Sequence, residues 1–204
     1  MKKMLATLIL EDQRKIVFEL YPEIAPQAVM NFVGLANNGF FDKMSFCRVV
    51  NGRLIQIGDT NLEGEHWIDV SPGYIIDGEF NKEGYVNPLS FEEGVVGMAM
   101  ADYEWTPNAS AGSFFIMCKS EAKLDSIVPA FARVIEGIEI VREINQIPTK
   151  ERFGFDVPEE FIHIDHIELN ELSKTWVDKE PEQFEDKFYE KVYGKKTQRI
   201  LRFD

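Results

Sequence analysis

The sequence predicts a mostly β domain carrying two short helices, followed by a C-terminal helical extension. Three observations predict it. From Phe41 to Phe131, short apolar runs are separated by Asn, Gly, Pro and Asp, the texture of an all-β chain. Before residue 170, a 3.6-residue apolar spacing marks only two short segments, around Val29 and Val141. Over residues 171–204 bases and acids balance, eight of each, so the whole net charge of −13 lies in residues 1–170. The chain therefore divides into a domain over 1–170 and an extension over 171–204.

The elements follow in order. Met4 to Leu10 and Ile16 to Leu20 read as two strands around the polar turn Glu11-Asp12-Gln13-Arg14. Next, Val29, Phe32, Val33 and Ala36 share one face of a helix, with Pro26 suited to its start and Gly39 to its stop. Phe46 to Val50, Leu54 to Ile57, Val95 to Ala101 and Phe114 to Cys118 are strands. Asn61 to Glu93 is long and glycine-dotted, and reads as a strand-poor wrap over the surface. A second helix fits Ile138 to Asn145, with Ile138, Val141 and Ile144 as its stripe, and Phe161 to Leu169 is a closing strand. In the extension, Pro181 starts and Gly194 ends a helix carrying Phe184, Phe188 and Val192. It reads as docked on the domain; a frayed tail is the alternative.

Composition narrows the function. At 45% hydrophobic and 28% charged residues, 204 residues build a core without staples. A net charge of −13 argues against binding nucleic acid or an anionic membrane, which need a basic face. Cys47 and Cys118 are too few for a disulfide framework and fit a reducing, cytoplasmic setting. The apolar run before Glu11 is seven residues long, a strand rather than a signal peptide. No run approaches the roughly 20 apolar residues of a membrane span. His163 and His166 are three apart on a strand and point to opposite faces. Neither a metal nor a cofactor is expected.

Two stretches carry chemistry. Phe46 to Asp59 is a β-hairpin with Asn51-Gly52 at its tip. A two-residue loop would set Arg48 opposite Ile55. A three-residue loop, Asn51-Gly52-Arg53, sets Arg48 opposite Gln56. It gathers Arg48, Leu54 and Gln56 on one face and Val49, Ile55 and Ile57 on the other. In Ser110 to Met117, strand alternation sends Phe114 and Ile116 one way and Phe115 and Met117 the other. Either one phenylalanine leaves the core face or the sheet is buried on both sides.

In order and spacing, these landmarks resemble the cyclophilin-type peptidyl-prolyl isomerases over about residues 4–170. The stretches that carry the likeness are Pro22-Glu23-Ile24-Ala25-Pro26 with Asn31-Phe32, Gly39-Phe40-Phe41-Asp42, Phe46-x-Arg48-Val49-Val50 and Gln56-x-Gly58-Asp59. Gly94-Val95-Val96-Gly97-Met98-Ala99, Ser113-Phe114-Phe115-Ile116, Leu124-Asp125 and Phe131 complete it. The resemblance implies a closed, eight-stranded antiparallel β-barrel capped by two helices. It implies that Arg48 is the catalytic arginine, Gln56 the glutamine that braces it, and Phe115 the floor of a proline pocket. It places Arg53, Leu54, Ala99, Met100, Ser113, Lys123, Leu124 and Val128 around the substrate.

Five of these positions depart from the family's usual residues. Arg53 stands for a pocket phenylalanine and Met100 for an asparagine that bonds substrate backbone. Ser113 stands for a second glutamine, Lys123 for a tryptophan and Val128 for a histidine. The function expected is X-Pro isomerisation in protein folding, with activity reduced or narrowed by those changes. The alternative is a proline-peptide binding module with the same fold and little turnover. The expected partners are proline-containing peptides and unfolded protein clients. The chain is expected to be a monomer, or a weak dimer through the extension.

Overall fold

The computed structural model describes residues 2–58, 60–63, 66–79, 86–100, 108–152 and 154–175. It opens with β1 (Met4–Leu10) and β2 (Lys15–Leu20), followed by α1 (Pro26–Asn37), β3 (Phe46–Val50) and β4 (Leu54–Gly58). Next come β5 (Thr60–Glu63), β6 (His66–Asp69), β7 (Ile75–Asp77), β8 (Val95–Met100) and β9 (Asn108–Met117). The chain continues through β10 (Ala130–Glu136), α2 (Ile138–Asn145), β11 (Thr149–Arg152), β12 (Phe155–Pro158), β13 (Ile164–Leu169) and α3 (Glu171–Lys174). Among the described residues β1–β10 and β13 form one antiparallel sheet in the order β13-β1-β2-β10-β8-β9-β4-β5-β6, with β3 on β4 and β7 on β9.

This sheet corrects the expectation of a closed eight-stranded barrel. It curls into an open half-barrel, and among the described residues no ladder joins β3 to β13. An isolated bridge, Ser45 to His163, spans the gap, together with the Lys43 N–H, which donates to the Ile164 carbonyl at 3.0 Å. The cause is local: a turn ends at Lys43, whose φ of 62° is not a strand conformation, so β3 starts only at Phe46. The surface wrap expected over residues 61–93 is also corrected in part, since β5 and β6 pair there as a hairpin and β7 pairs with β9. The helix expected over residues 181–194, with Phe184, Phe188 and Val192, lies outside the described residues.

The main core fills the concave side. Val29, Phe32 and Val33 of α1 are fully buried against it, as their spacing predicts. Phe32 sits at the centre of an aromatic cluster, its ring centroid 5.3–6.3 Å from those of Phe18, Phe41, Phe114 and Phe131. From α2, Val141 and Ile144 enter the same core. The start of α1 is satisfied from far away: Ala25 offers no side-chain cap, and the carboxylate of buried Glu79 accepts from the backbone N–H of Gln27 and Ala28, each at 2.9 Å. Cys47 is buried and Cys118 half-buried; burial pushes the Cys118 thiol up to about 12, so it stays protonated at neutral pH. No helix among the described residues is long and apolar enough to cross a membrane.

Candidate functional site

The site lies on the convex side of the sheet, and the hairpin register builds it. The three-residue-loop register is the one adopted: Arg48 faces Gln56, Val49 faces Ile55 and Val50 faces Leu54. Gly52 takes the left-handed conformation at the tip, with φ of 69°. The rung continues from Gln56 to Phe115 on β9 and from Phe115 to Gly97 on β8. Residues in one rung share a face. Arg48, Gln56 and the sequence-distant Phe115 thus stand side by side on three adjacent strands.

A chain of hydrogen bonds orients the polar part. The Arg48 guanidinium donates to Gln56 Oε1 at 3.4 Å, and Gln56 Nε2 donates to Ser113 Oγ at 3.1 Å. Ser113 is buried and donates in turn to the carbonyl of Ile57 at 2.9 Å. It thus stands behind Gln56. Arg48 Nε is buried and has no partner among the described residues. The guanidinium carbon also lies 5.5 Å from the centroid of the Phe155 ring.

The apolar part is a second, smaller core. Phe115 is 5% exposed and stacks on Phe91 with centroids 5.5 Å apart. Leu54, Met117 and Val128 pack with them, and Leu124 joins half-buried. The sheet is therefore apolar on both sides at β9, with Phe114 in the main core and Phe115 in this one. Gly97 leaves room for the rings. A Cβ there would lie 2.7 Å from Phe91 and 2.9 Å from Phe115.

Around this floor the remaining residues differ in exposure. Ala99 is nearly buried, while Met100 is 55% exposed. Arg53 binds Glu121 with two hydrogen bonds, at 2.6 and 3.1 Å. That fork ties the hairpin loop to the short 3-10 turn Ala122–Ser126, which carries Lys123 and Leu124. The same bonds hold the Glu121 carboxyl below the usual carboxylate range. So the arginine found in place of an aromatic residue has an acidic partner of its own.

Four residues of the site escape the sequence reading. Asn145, at the end of α2, accepts from Gly52 N at 2.7 Å and donates to the carbonyls of Val50 and Leu54 at 2.9 and 3.1 Å. It clamps the hairpin that carries Arg48 and Gln56. Phe91 lies in a segment without regular structure, and Asp125 anchors it by accepting from the N–H of Phe91 at 2.8 Å. Glu121 reads as one more surface acid. Phe155 belongs to the hairpin β11–β12, whose charged residues hide its strands. The only local signal is Gly154 at its turn.

Known proteins share this architecture. The model of the cyclophilin-type peptidyl-prolyl cis-trans isomerase family matches residues 6–169. The chain is 37% identical over 137 residues to peptidyl-prolyl cis-trans isomerase B of Bacillus subtilis, covering 67% of this chain and 87% of that one. It is 31% identical to peptidyl-prolyl cis-trans isomerase ppi1 of Schizosaccharomyces pombe, covering 66% and 81%. Other relatives are longer, and the chain spans 20–22% of them. Among solved structures, a Cryptosporidium parvum cyclophilin-type isomerase crystallised in the presence of the dipeptide Ala-Pro superposes with a TM-score of 0.65. It is 25% identical, covering 81% of this chain and 98% of that one.

Proposed function

The chain belongs to the cyclophilin-type peptidyl-prolyl cis-trans isomerase family and is an isomerase of that class, and from this premise we propose that the convex face of β3, β4 and β9 is its active site. The observation that carries the proposal is the rung Arg48–Gln56–Phe115, which sets a cationic donor beside an aromatic apolar floor. Its substrates are proline-containing peptides and unfolded chains. The Ala-Pro dipeptide present with the structural neighbour supports that class.

The chemistry needs no nucleophile. An X-Pro bond prefers trans by only about 0.5–1 kcal/mol, yet it isomerises over tens to hundreds of seconds. The barrier is lost amide resonance, about 18–20 kcal/mol for peptide bonds in general. As the bond twists, the prolyl nitrogen pyramidalises and its lone pair localises. A guanidinium then bonds that nitrogen better than it bonds the planar amide, and this difference lowers the barrier. In this reading Arg48 is the donor, and Gln56, held by Ser113, aims it. Phe115, Leu54 and Leu124 grip the proline ring. Met100, Ala99, Lys123 and Arg53 border the substrate, and Val128 supports the floor from within.

A protease-coupled assay on a proline tetrapeptide tests the reading. We expect catalysed cis-to-trans conversion above the thermal rate. A protein that binds the peptide but leaves that rate unchanged is the binding module, and the enzymatic reading of this face is then wrong.

We carry the division at residue 170 as a second proposal, supported by the apolar spacing of Phe184, Phe188 and Val192. The start of the extension, α3, is tied to the domain: Asn170 caps it by accepting from Ser173 N at 3.0 Å, and the Ser173 hydroxyl donates to the Leu5 carbonyl at 2.9 Å. A chain ending at residue 175 retains these bonds. Compared with the full chain, it is expected to show a lower melting temperature or a changed mass in solution. If both quantities match, residues 176–204 cover nothing on this domain or on a second copy.

A further inference from the structure

We propose that Phe155 is a positioning residue for Arg48, a ring that holds the guanidinium in place without consuming its donors. The inference rests on the reading of Arg48 as the catalytic donor.

The hairpin β11–β12 stands outside the main sheet, and β12 lies against β3, the strand that carries Arg48. Val157 anchors it, being fully buried, while Phe155 two residues earlier points the same way and is 45% exposed. Its exposure alone signals nothing, but its neighbour does. The Arg48 guanidinium carbon lies 5.5 Å from the ring centroid, within the roughly 6 Å over which a cation is attracted to a ring face.

The other restraints on Arg48 are weak. Its bond to Gln56 is long, at 3.4 Å, and Nε has no partner among the described residues. An arginine carries several rotatable bonds, and a loose one would seldom aim at a twisting amide. A carboxylate beside it would fix the side chain but would occupy the N–H groups that the transition state needs. A ring face fixes the plane and takes up none of the N–H groups. The arrangement is therefore one terminal nitrogen bonded to Gln56 and a ring against the guanidinium, with the remaining terminal N–H groups uncommitted among the described residues.

The test compares Phe155→Ala, Phe155→Leu and Phe155→Tyr with wild type and Arg48→Ala, in the coupled assay and by the NMR signal of Arg48 Nε–Hε. Phe155→Ala and Phe155→Leu are expected to lower kcat about tenfold, the scale of one cation–π contact, with KM changed less than about twofold. Phe155→Tyr retains the ring and should keep kcat within about twofold. The Arg48 Nε–Hε signal, shifted by the ring in wild type and Phe155→Tyr, should move in the other two. Phe155→Ala with unchanged kcat, or with the whole effect in KM, overturns the proposal, as does an unmoved signal. If Arg48→Ala itself turns over like wild type, the active-site reading has failed as well, so the two failures are told apart.

Discussion

Arg48→Ala is expected to lower isomerase turnover by about 10²–10³, the cost of removing one preorganised donor from a transition state. Peptide affinity should change less, because the bond to the prolyl nitrogen forms mainly in the twisted state. The fold should not suffer. Arg48 lies outside both apolar cores, and its Nε is a buried donor without a partner among the described residues. Removing such a group relieves a desolvation cost, so stability should hold within about 0.5 kcal/mol or rise slightly. Phe115→Ala provides the contrast. It removes a ring that is 5% exposed and stacked on Phe91, so affinity, rate and stability should fall together, the last by about 3–5 kcal/mol. Steady-state kinetics and urea denaturation on the two variants separate these patterns. Equal rates for wild type and Arg48→Ala would remove the guanidinium from the mechanism.

How far the site can be read from sequence depends on how local its cause is. The Arg48–Gln56 pair is legible because an Asn-Gly tip and strict alternation leave only two registers, and one of them separates polar from apolar side chains. Phe115 is legible as facing away from Phe114, but its partner is not. Phe91 comes from an irregular segment 24 positions earlier, and a stack between distant segments leaves no periodic trace. Asn145 ends a helix, and nothing in its neighbours says that its amide meets three backbone groups of another hairpin. Glu79 shows the same limit, as a carboxylate in a polar loop that caps a helix begun more than 50 residues before it. The opening of the sheet has a local cause, but not one that hydrophobicity marks. Whether β3 meets β13 depends on a left-handed Lys43 rather than on the hydrophobic pattern of either strand.

Gly58→Ala is expected to be the most damaging single-methyl change at this site. Gly58 ends β4, two residues beyond Gln56, with φ of 99°, a conformation that side-chain-bearing residues rarely adopt. A Cβ there would lie 1.8 Å from the carbonyl oxygen of Gly112 and 2.8 Å from Cα of Ser113. Those atoms are backbone of β9, paired with Gly58 in the sheet, so no side-chain rotation relieves the contact. Either β4 and β9 part or the register breaks. Both routes displace Ser113 from Gln56 and Phe115 from its place beside it. A loss of about 4 kcal/mol or more is expected, in the range that marks a named structural failure. Gly52→Ala is the control, since Gly52 has φ of 69° but nothing within 4 Å of its Cβ. It bears the left-handed strain alone, about 1–2 kcal/mol. Thermal or urea unfolding of the two variants isolates the clash from the strain. If Gly58→Ala proves no less stable than Gly52→Ala, the close approach of β4 and β9 is not what fixes the floor of the site.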